Sequence, residues 1–126
     1  MKRIITSLVL ITATFMVLAQ EHTETKYITT ESGRLTRRDY TYDEQGRPTS
    51  NTLSCWIDDL DDYRPVIRRL FRYDEGKRTM EYQTWNPWKR CFQPVELVVY
   101  DEGSDSAHVE CYRWQERRQE WKRQRP

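Results

Sequence analysis

Pro65-Val66-Ile67-Arg68-Arg69-Leu70-Phe71-Arg72-Tyr73-Asp74-Glu75-Gly76 is the stretch that decides the fold. It crowds β-branched and aromatic residues into one run and closes on Asp-Glu-Gly, so it reads as a strand entering a reversing turn. A second version, Pro94-Val95-Glu96-Leu97-Val98-Val99-Tyr100, runs into Asp101-Glu102-Gly103 in the same way. All four glycines, Gly33, Gly46, Gly76 and Gly103, fall in such turns. Tight hairpin turns need a positive φ, which glycine adopts without steric cost.

Working outward, the turn proves to be a repeated feature. Tyr-Asp-Glu recurs at residues 42, 73 and 100, at spacings of 31 and 27, and a tryptophan follows each tyrosine at Trp56, Trp85 and Trp114. A second aromatic comes after each, at Tyr63, Trp88 and Trp121. A period of this length marks one supersecondary unit copied in tandem. Each unit is read as two strands, with a second reversal at Asp58-Asp59-Leu60-Asp61-Asp62, at Asn86-Pro87 and at Glu116-Arg117-Arg118-Gln119-Glu120. The tail from Trp114 to Gln124 fits a helix on the seven-residue spacing of its tryptophans, and fits two strands by analogy with the first unit. The analogy is preferred. The expected fold is all-β: an antiparallel β-meander of seven or eight strands built from tandem hairpin repeats, in an open or partly curled sheet. Alternation is expected to put aliphatic sets such as Leu53, Cys55 and Ile57, or Val95, Leu97 and Val99, on a drier face.

The N-terminus has a different composition. Lys2 and Arg3 precede an uncharged run from Ile4 to Leu18, and Ala19 sits where signal peptidase reads small residues. Residues 1–19 are therefore read as a signal peptide and residues 20–126 as a single β-repeat domain, exported to the periplasm or the exterior. The run is shorter than the roughly 20 residues of a transmembrane helix, so no membrane span is expected after cleavage. Without Lys2 and Arg3, 19 basic residues face 20 acidic ones, mixed along the chain. Nucleic acid is discounted as a partner, because the chain after residue 19 has no basic excess and its charges are mixed along most of its length.

Motifs that carry chemistry are lacking. His108-Val109-Glu110-Cys111 has the His-x-Glu of zinc deaminases without their Pro-Cys-x-x-Cys, and on a strand Cys111 points away from His108 and Glu110. The run Asp58 to Asp62 lacks the glycine and distal glutamate of a calcium loop and is read as a solvated turn. No catalytic residue, metal site or cofactor is assigned. For the cysteines, a hairpin turning near Gly103-Ser104 pairs residues whose numbers sum to about 207 and sets Cys111 near Glu96, away from Cys91. Cys55 lies three strands from Cys91 and four from Cys111. No disulfide is expected, since these separations exceed the roughly 7 Å limit between α-carbons.

What remains is aromatic. Trp56, Trp85, Trp88, Trp114 and Trp121 recur at matching places in successive hairpins, as a candidate binding platform for a glycan or a protein, or as the packing residues of the repeat. The function expected is that of an exported, non-enzymatic β-repeat module binding a protein or glycan partner at the cell envelope or outside the cell. The alternative is a small secreted hydrolase or inhibitor with an unrecognised carboxylate and aromatic site.

Tyr42-Asp43-Glu44-Gln45-Gly46-Arg47 resembles the tyrosine-aspartate turn of Rhs and wall-associated repeat proteins, Tyr-Asp-x-x-Gly-Arg; the later units depart from it, with Gly76 and Gly103 one position early. The longer unit with its later tryptophan, on a short signal-bearing chain, is more similar to a family of small exported Bacteroidetes proteins known only as a domain of unknown function. That resemblance spans residues 25 to 122 and implies no activity.

Overall fold

The computed structural model describes residues 21–103 and 108–125. The signal peptide read at residues 1–19 lies outside them. Eight strands follow one another in a single antiparallel sheet: β1 (His22–Thr29), β2 (Leu35–Tyr42), β3 (Pro48–Ile57), β4 (Asp62–Asp74), β5 (Lys77–Asn86), β6 (Cys91–Asp101), β7 (His108–Gln115) and β8 (Glu120–Gln124). Their spatial order is their sequence order, a meander from β1 to β8 that does not close into a barrel. The tail resolves as strands β7 and β8 around a turn, as the first unit suggested.

The two ends of the sheet are built differently. At one end, the β3–β4, β5–β6 and β7–β8 hairpins each turn through four residues, and the last residue of each turn, Asp61, Arg90 or Gln119, has a φ of 51°, 54° or 53°. These three positions are 29 residues apart, so the three turns repeat strictly, while the β1–β2 turn at the same end has five residues and its positive φ at Gly33. At the other end the turns differ. Asp43 caps the β2–β3 turn: its carboxylate accepts the N–H of Gln45 and of Arg47, each at 2.9 Å, and meets Arg47 Nε at 2.8 Å. Between β4 and β5 the turn shrinks to Glu75-Gly76. One arginine beside each of these two turns then stacks on a tyrosine of the following unit, Arg47 on Tyr73 at 4.4 Å and Arg78 on Tyr100 at 4.8 Å. These stacks tie one unit to the next, at about 0.5–1 kcal/mol each for exposed sites.

Pro65 and Pro94 sit inside central strands, where a missing N–H normally breaks the ladder. The register explains both. Ser54 pairs Pro65 while Leu53 pairs Ile67, and Gln83 pairs Pro94 while Tyr82 pairs Glu96, so Val66 and Val95 are extra residues. Such a bulge leaves a residue unpaired and increases the local twist. It also reverses side-chain alternation within the strand, and this overturns the expected dry face. Leu53, Cys55 and Ile57 lie on the back of the sheet, whereas Leu97 and Val99 lie on the front with Phe92 and Pro94. Among the described residues, the buried apolar side chains are Cys55 and Val98 on the back; Ser54 and Gln83 on the front and Thr36 on the back are buried polar ones.

The β6–β7 register sets Cys111 opposite Val98, two residues from the position expected near Glu96. All three cysteines are free, with Cys55 buried, Cys91 exposed and Cys111 between.

Candidate functional site

Successive residues of a strand face opposite ways, and cross-strand partners share a face. The pairings therefore place Trp56 (β3), Trp85 (β5), Trp114 (β7) and Trp121 (β8) all on the front. Trp88 stands apart in the β5–β6 turn, 91% exposed. Each of the other tryptophans belongs to an edge-on pair flanking a four-residue turn: Trp56 with Tyr63 at 5.3 Å, Trp85 with Phe92 at 5.0 Å and Trp114 with Trp121 at 5.2 Å. The partner in the second unit is Phe92, not Trp88. Tyr27 on β1 takes the same front position in the first hairpin, 29 residues before Trp56, and its ring lies 5.7 Å from that of Tyr63. Sequence reading missed both Phe92 and Tyr27. The signal for both was the 29-residue interval (27, 56, 85, 114 and 63, 92, 121), twice the strand-to-strand step, or roughly 9.6 Å across the sheet.

The bulges open this ladder into clefts. Registered pairing of β4 with β5 stops at Ile67–Thr84, and that of β6 with β7 stops at Glu96–Arg113, again 29 residues on. Beyond those points each hairpin separates from the next. A cleft of about 450 Å³ lies between Tyr63, Arg64, Pro65 on one side and Trp85, Pro87 on the other. Its equivalent, of about 540 Å³, lies between Gln93, Pro94, Val95 and Trp114, Glu116. Proline and indole recur in both, Pro65 with Trp85 and Pro94 with Trp114. The hydrogen-bonding residues around them vary. Trp114 Nε1 donates to Glu116 Oε2 at 2.9 Å, as Trp56 Nε1 does to Asp58 Oδ1 at 2.9 Å. Pro87 occupies the matching place after Trp85 and offers no side-chain acceptor, so the Trp85 N–H is left to a ligand or to water.

Between the clefts and the opposite end, the front mixes the aliphatic Leu70, Leu97 and Val99 with polar side chains. Arg68 Nε donates to Gln83 Oε1 at 2.7 Å, its guanidinium lies 4.2 Å from the Phe92 ring, and Gln83 donates to Glu81. Burial pushes the Arg68 guanidinium down, with Glu81 pushing the other way. A groove of about 610 Å³ runs over this region, from Thr49 and Leu70 past Glu81 and Leu97 to Trp121. On β7, Glu110 accepts from Tyr112 at 2.6 Å, lies 3.2 Å from His108 Nε2 and 3.4 Å from Arg123. The Tyr112 hydroxyl leads in holding the Glu110 carboxyl below its usual range, against burial and with His108 and Arg123. Cys111 points to the back, away from His108 and Glu110.

The acidic run at residues 58–62 is occupied with the turn. Asp58 accepts the Trp56 indole and, through its carbonyl, the Asp61 N–H at 3.1 Å; Asp62 accepts the Tyr63 N–H at 2.7 Å. Among the described residues no three His, Cys, Asp or Glu side chains gather as a metal site, and no helix is long and apolar enough to cross a membrane.

Comparisons with known proteins agree with the expectation of a Bacteroidetes family without an assigned function. The chain is similar in structure to a DUF3836 family protein from Bacteroides vulgatus, 17% identical with a TM-score of 0.55, over 80% of this chain and 89% of that one. A protein of unknown function from Bacteroides fragilis, 17% identical, matches with a TM-score of 0.54 over 82% and 91%. A DUF3836 family protein from Parabacteroides distasonis, 15% identical, matches with a TM-score of 0.52 over 80% and 84%. At these identities the likeness is one of fold. No curated protein matches the chain. The model of a family of unknown function covers residues 33–102, more than half of the sequence, and the chain therefore belongs to that family, DUF3836.

Proposed function

We propose that this protein is an exported, non-enzymatic binding module whose front face holds an extended glycan, with equivalent units of the chain seated in its two equivalent clefts. The observation that carries the reading is the duplication of the cleft itself. Pro65–Trp85 and Pro94–Trp114 recur at one interval on one face. A repeated site suits a repetitive ligand, since two weak contacts on one chain add through effective concentration. Aromatic walls with a few placed polar groups are the usual makings of a small-ligand site. Arg64 and Gln93, paired with Cys55 and Thr84 on the back of the sheet, line the clefts from behind, and the Trp85 N–H supplies a hydrogen-bonding group beside the ring. A protein partner would instead favour a continuous apolar patch, whereas on this face Arg68, Glu81 and Gln83 interrupt the rings and the aliphatic Leu70, Leu97 and Val99.

Support for a non-enzymatic role comes from the front-face carboxylates. Glu81 is tied to Gln83, and Tyr112, with His108 and Arg123, holds the Glu110 carboxyl below its usual range, away from the raised value that a general acid needs. Export rests on Lys2, Arg3, the apolar run and Ala19.

A glycan array probed with the purified protein, run beside a pull-down from envelope extracts, tests the reading. The expected result is retention of at least one glycan and its weakening in Trp85→Leu. Capture of a protein alone, or new reducing ends appearing in a bound glycan, would overturn it in favour of a protein ligand or a hydrolase.

A further inference from the structure

Strand β1 is a long free edge. It pairs with β2 on one side only, all eight of its residues are exposed, and among the described residues nothing covers its other side. The first turn tells which backbone groups point outward. Thr30 N–H donates to Arg34 C=O at 2.9 Å, and the register from Thr29–Leu35 back to His22–Tyr42 continues that pair without a slip. Even-numbered residues of β1 thus direct their N–H and C=O groups at β2, and Thr23, Thr25, Tyr27 and Thr29 direct theirs away from the sheet. An edge of this kind is a template for another strand.

We propose that a second copy of this chain covers it: two β1 strands pair antiparallel about a two-fold axis at Thr25, joining two eight-stranded sheets into one. Self-complementarity selects this register. A continuous pleat requires opposed residues to share a face, so the axis must pass through a residue and not between two. An axis at Thr25 sets Glu24 against the partner's Lys26 and Lys26 against the partner's Glu24, with Thr25 facing its own copy. An axis at Glu24 opposes two carboxylates and brings His22 to the partner's Lys26, and an axis at Lys26 opposes two ammonium groups. Axes nearer the strand ends pair fewer residues.

The Thr25 register also fits the backbone. It makes Thr23, Thr25 and Tyr27, whose amides point outward, the hydrogen-bonded pairs. Glu24 and the partner's Lys26 become the non-hydrogen-bonded pair, in which side chains lie closest. Lys26 already lies 3.7 Å from Glu24 of its own strand, so the four charges form a cluster of alternating sign. The other edge does not offer the same. β8 has five residues, and Lys122, Arg123 and Arg125 make its own pairing cation against cation. A two-fold contact through β1 closes on itself and does not propagate into a fibre. Its axis stands perpendicular to the sheet, so the clefts of both copies open on one surface.

Sedimentation equilibrium of the purified protein and a charge-swap set tests this. The protein is expected to dimerise; Lys26→Glu and Glu24→Lys, which each oppose like charges at two contacts, should weaken dimerisation about tenfold, and the double variant E24K/K26E should restore it. Thr25→Pro removes two outward N–H donors at the axis and none of the bonds to β2, so it should be monomeric with unchanged strand content by circular dichroism. A monomeric native protein, a dimer indifferent to Thr25→Pro, or single charge variants that the double variant fails to rescue would overturn the proposal. Should Thr25→Pro lose its strands, the charge-swap set decides alone.

Discussion

Replacing Gly46 with valine isolates the cost of one backbone conformation. Gly46 has a φ of +79° and closes the β2–β3 turn by donating its N–H to Asp43 C=O at 3.0 Å. A Cβ built on it would meet nothing within 4 Å, so steric conflict with the rest of the protein contributes nothing. The left-handed conformation costs an L-residue about 1–2 kcal/mol, and a β-branched one stands at the upper end. Valine also restricts the unfolded chain, which offsets about 0.4–1 kcal/mol. The net loss is about 1 kcal/mol, or about 4–8 °C in Tm for a domain of this size. Gln45→Val is the control, since Gln45 is exposed and is not among the residues with positive φ. Gly46→Asn should recover much of the loss, because asparagine tolerates this region. Thermal unfolding followed by circular dichroism reads all three. Equal melting temperatures for Gly46→Val and Gln45→Val would refute the assignment of the turn.

Further outcomes concern charge, thiols and processing. Burial pushes the Asp43 carboxyl up, but the amide and guanidinium of Arg47 and the amide of Gln45 outweigh it and hold the group below its usual range. A depressed folded pKa gives stability that is present above the unfolded value near 4 and lost as pH falls through the folded one. Asp43→Asn should therefore be less stable than the wild type at pH ~7, with the gap narrowing under urea denaturation at pH ~3. Thiol labelling should find Cys91 reactive in the folded protein and Cys55 only after unfolding, three free thiols in all; a count of one would mean a disulfide that this sheet does not allow. N-terminal sequencing of the exported protein should begin at Gln20, with or without cyclisation, and an intact Met1 would remove the case for a signal peptide.

The meander was legible because its determinants are local. Asp-Glu-Gly turns and runs of β-branched and aromatic residues such as Val66 to Tyr73 specify hairpins within a few residues, and a sheet in sequential order needs little else. The phase of the faces was hidden because it turns on two unpaired residues. Pro65 and Pro94 read as the first residues of strands, a place where proline is tolerated, so the bulges beside them show only when the partner strand is placed, and each bulge moves every later side chain to the other face. The strict interval was masked for a related reason. Tyr-Asp-Glu marks the end of the sheet where turn lengths vary, so its spacings of 31 and 27 obscure the uniform 29 of the opposite end. That masking made Trp88 look like the counterpart of Tyr63 and left Phe92 and Tyr27 unnoticed.

The equivalence of the two clefts is tested most directly by titrating a glycan retained on the array against the wild type, Trp85→Leu, Trp114→Leu and the double variant. The account predicts that each single variant keeps a weakened interaction through the remaining cleft, and that the double variant binds nothing while retaining its strands by circular dichroism. A double variant that binds as the wild type does would contradict it.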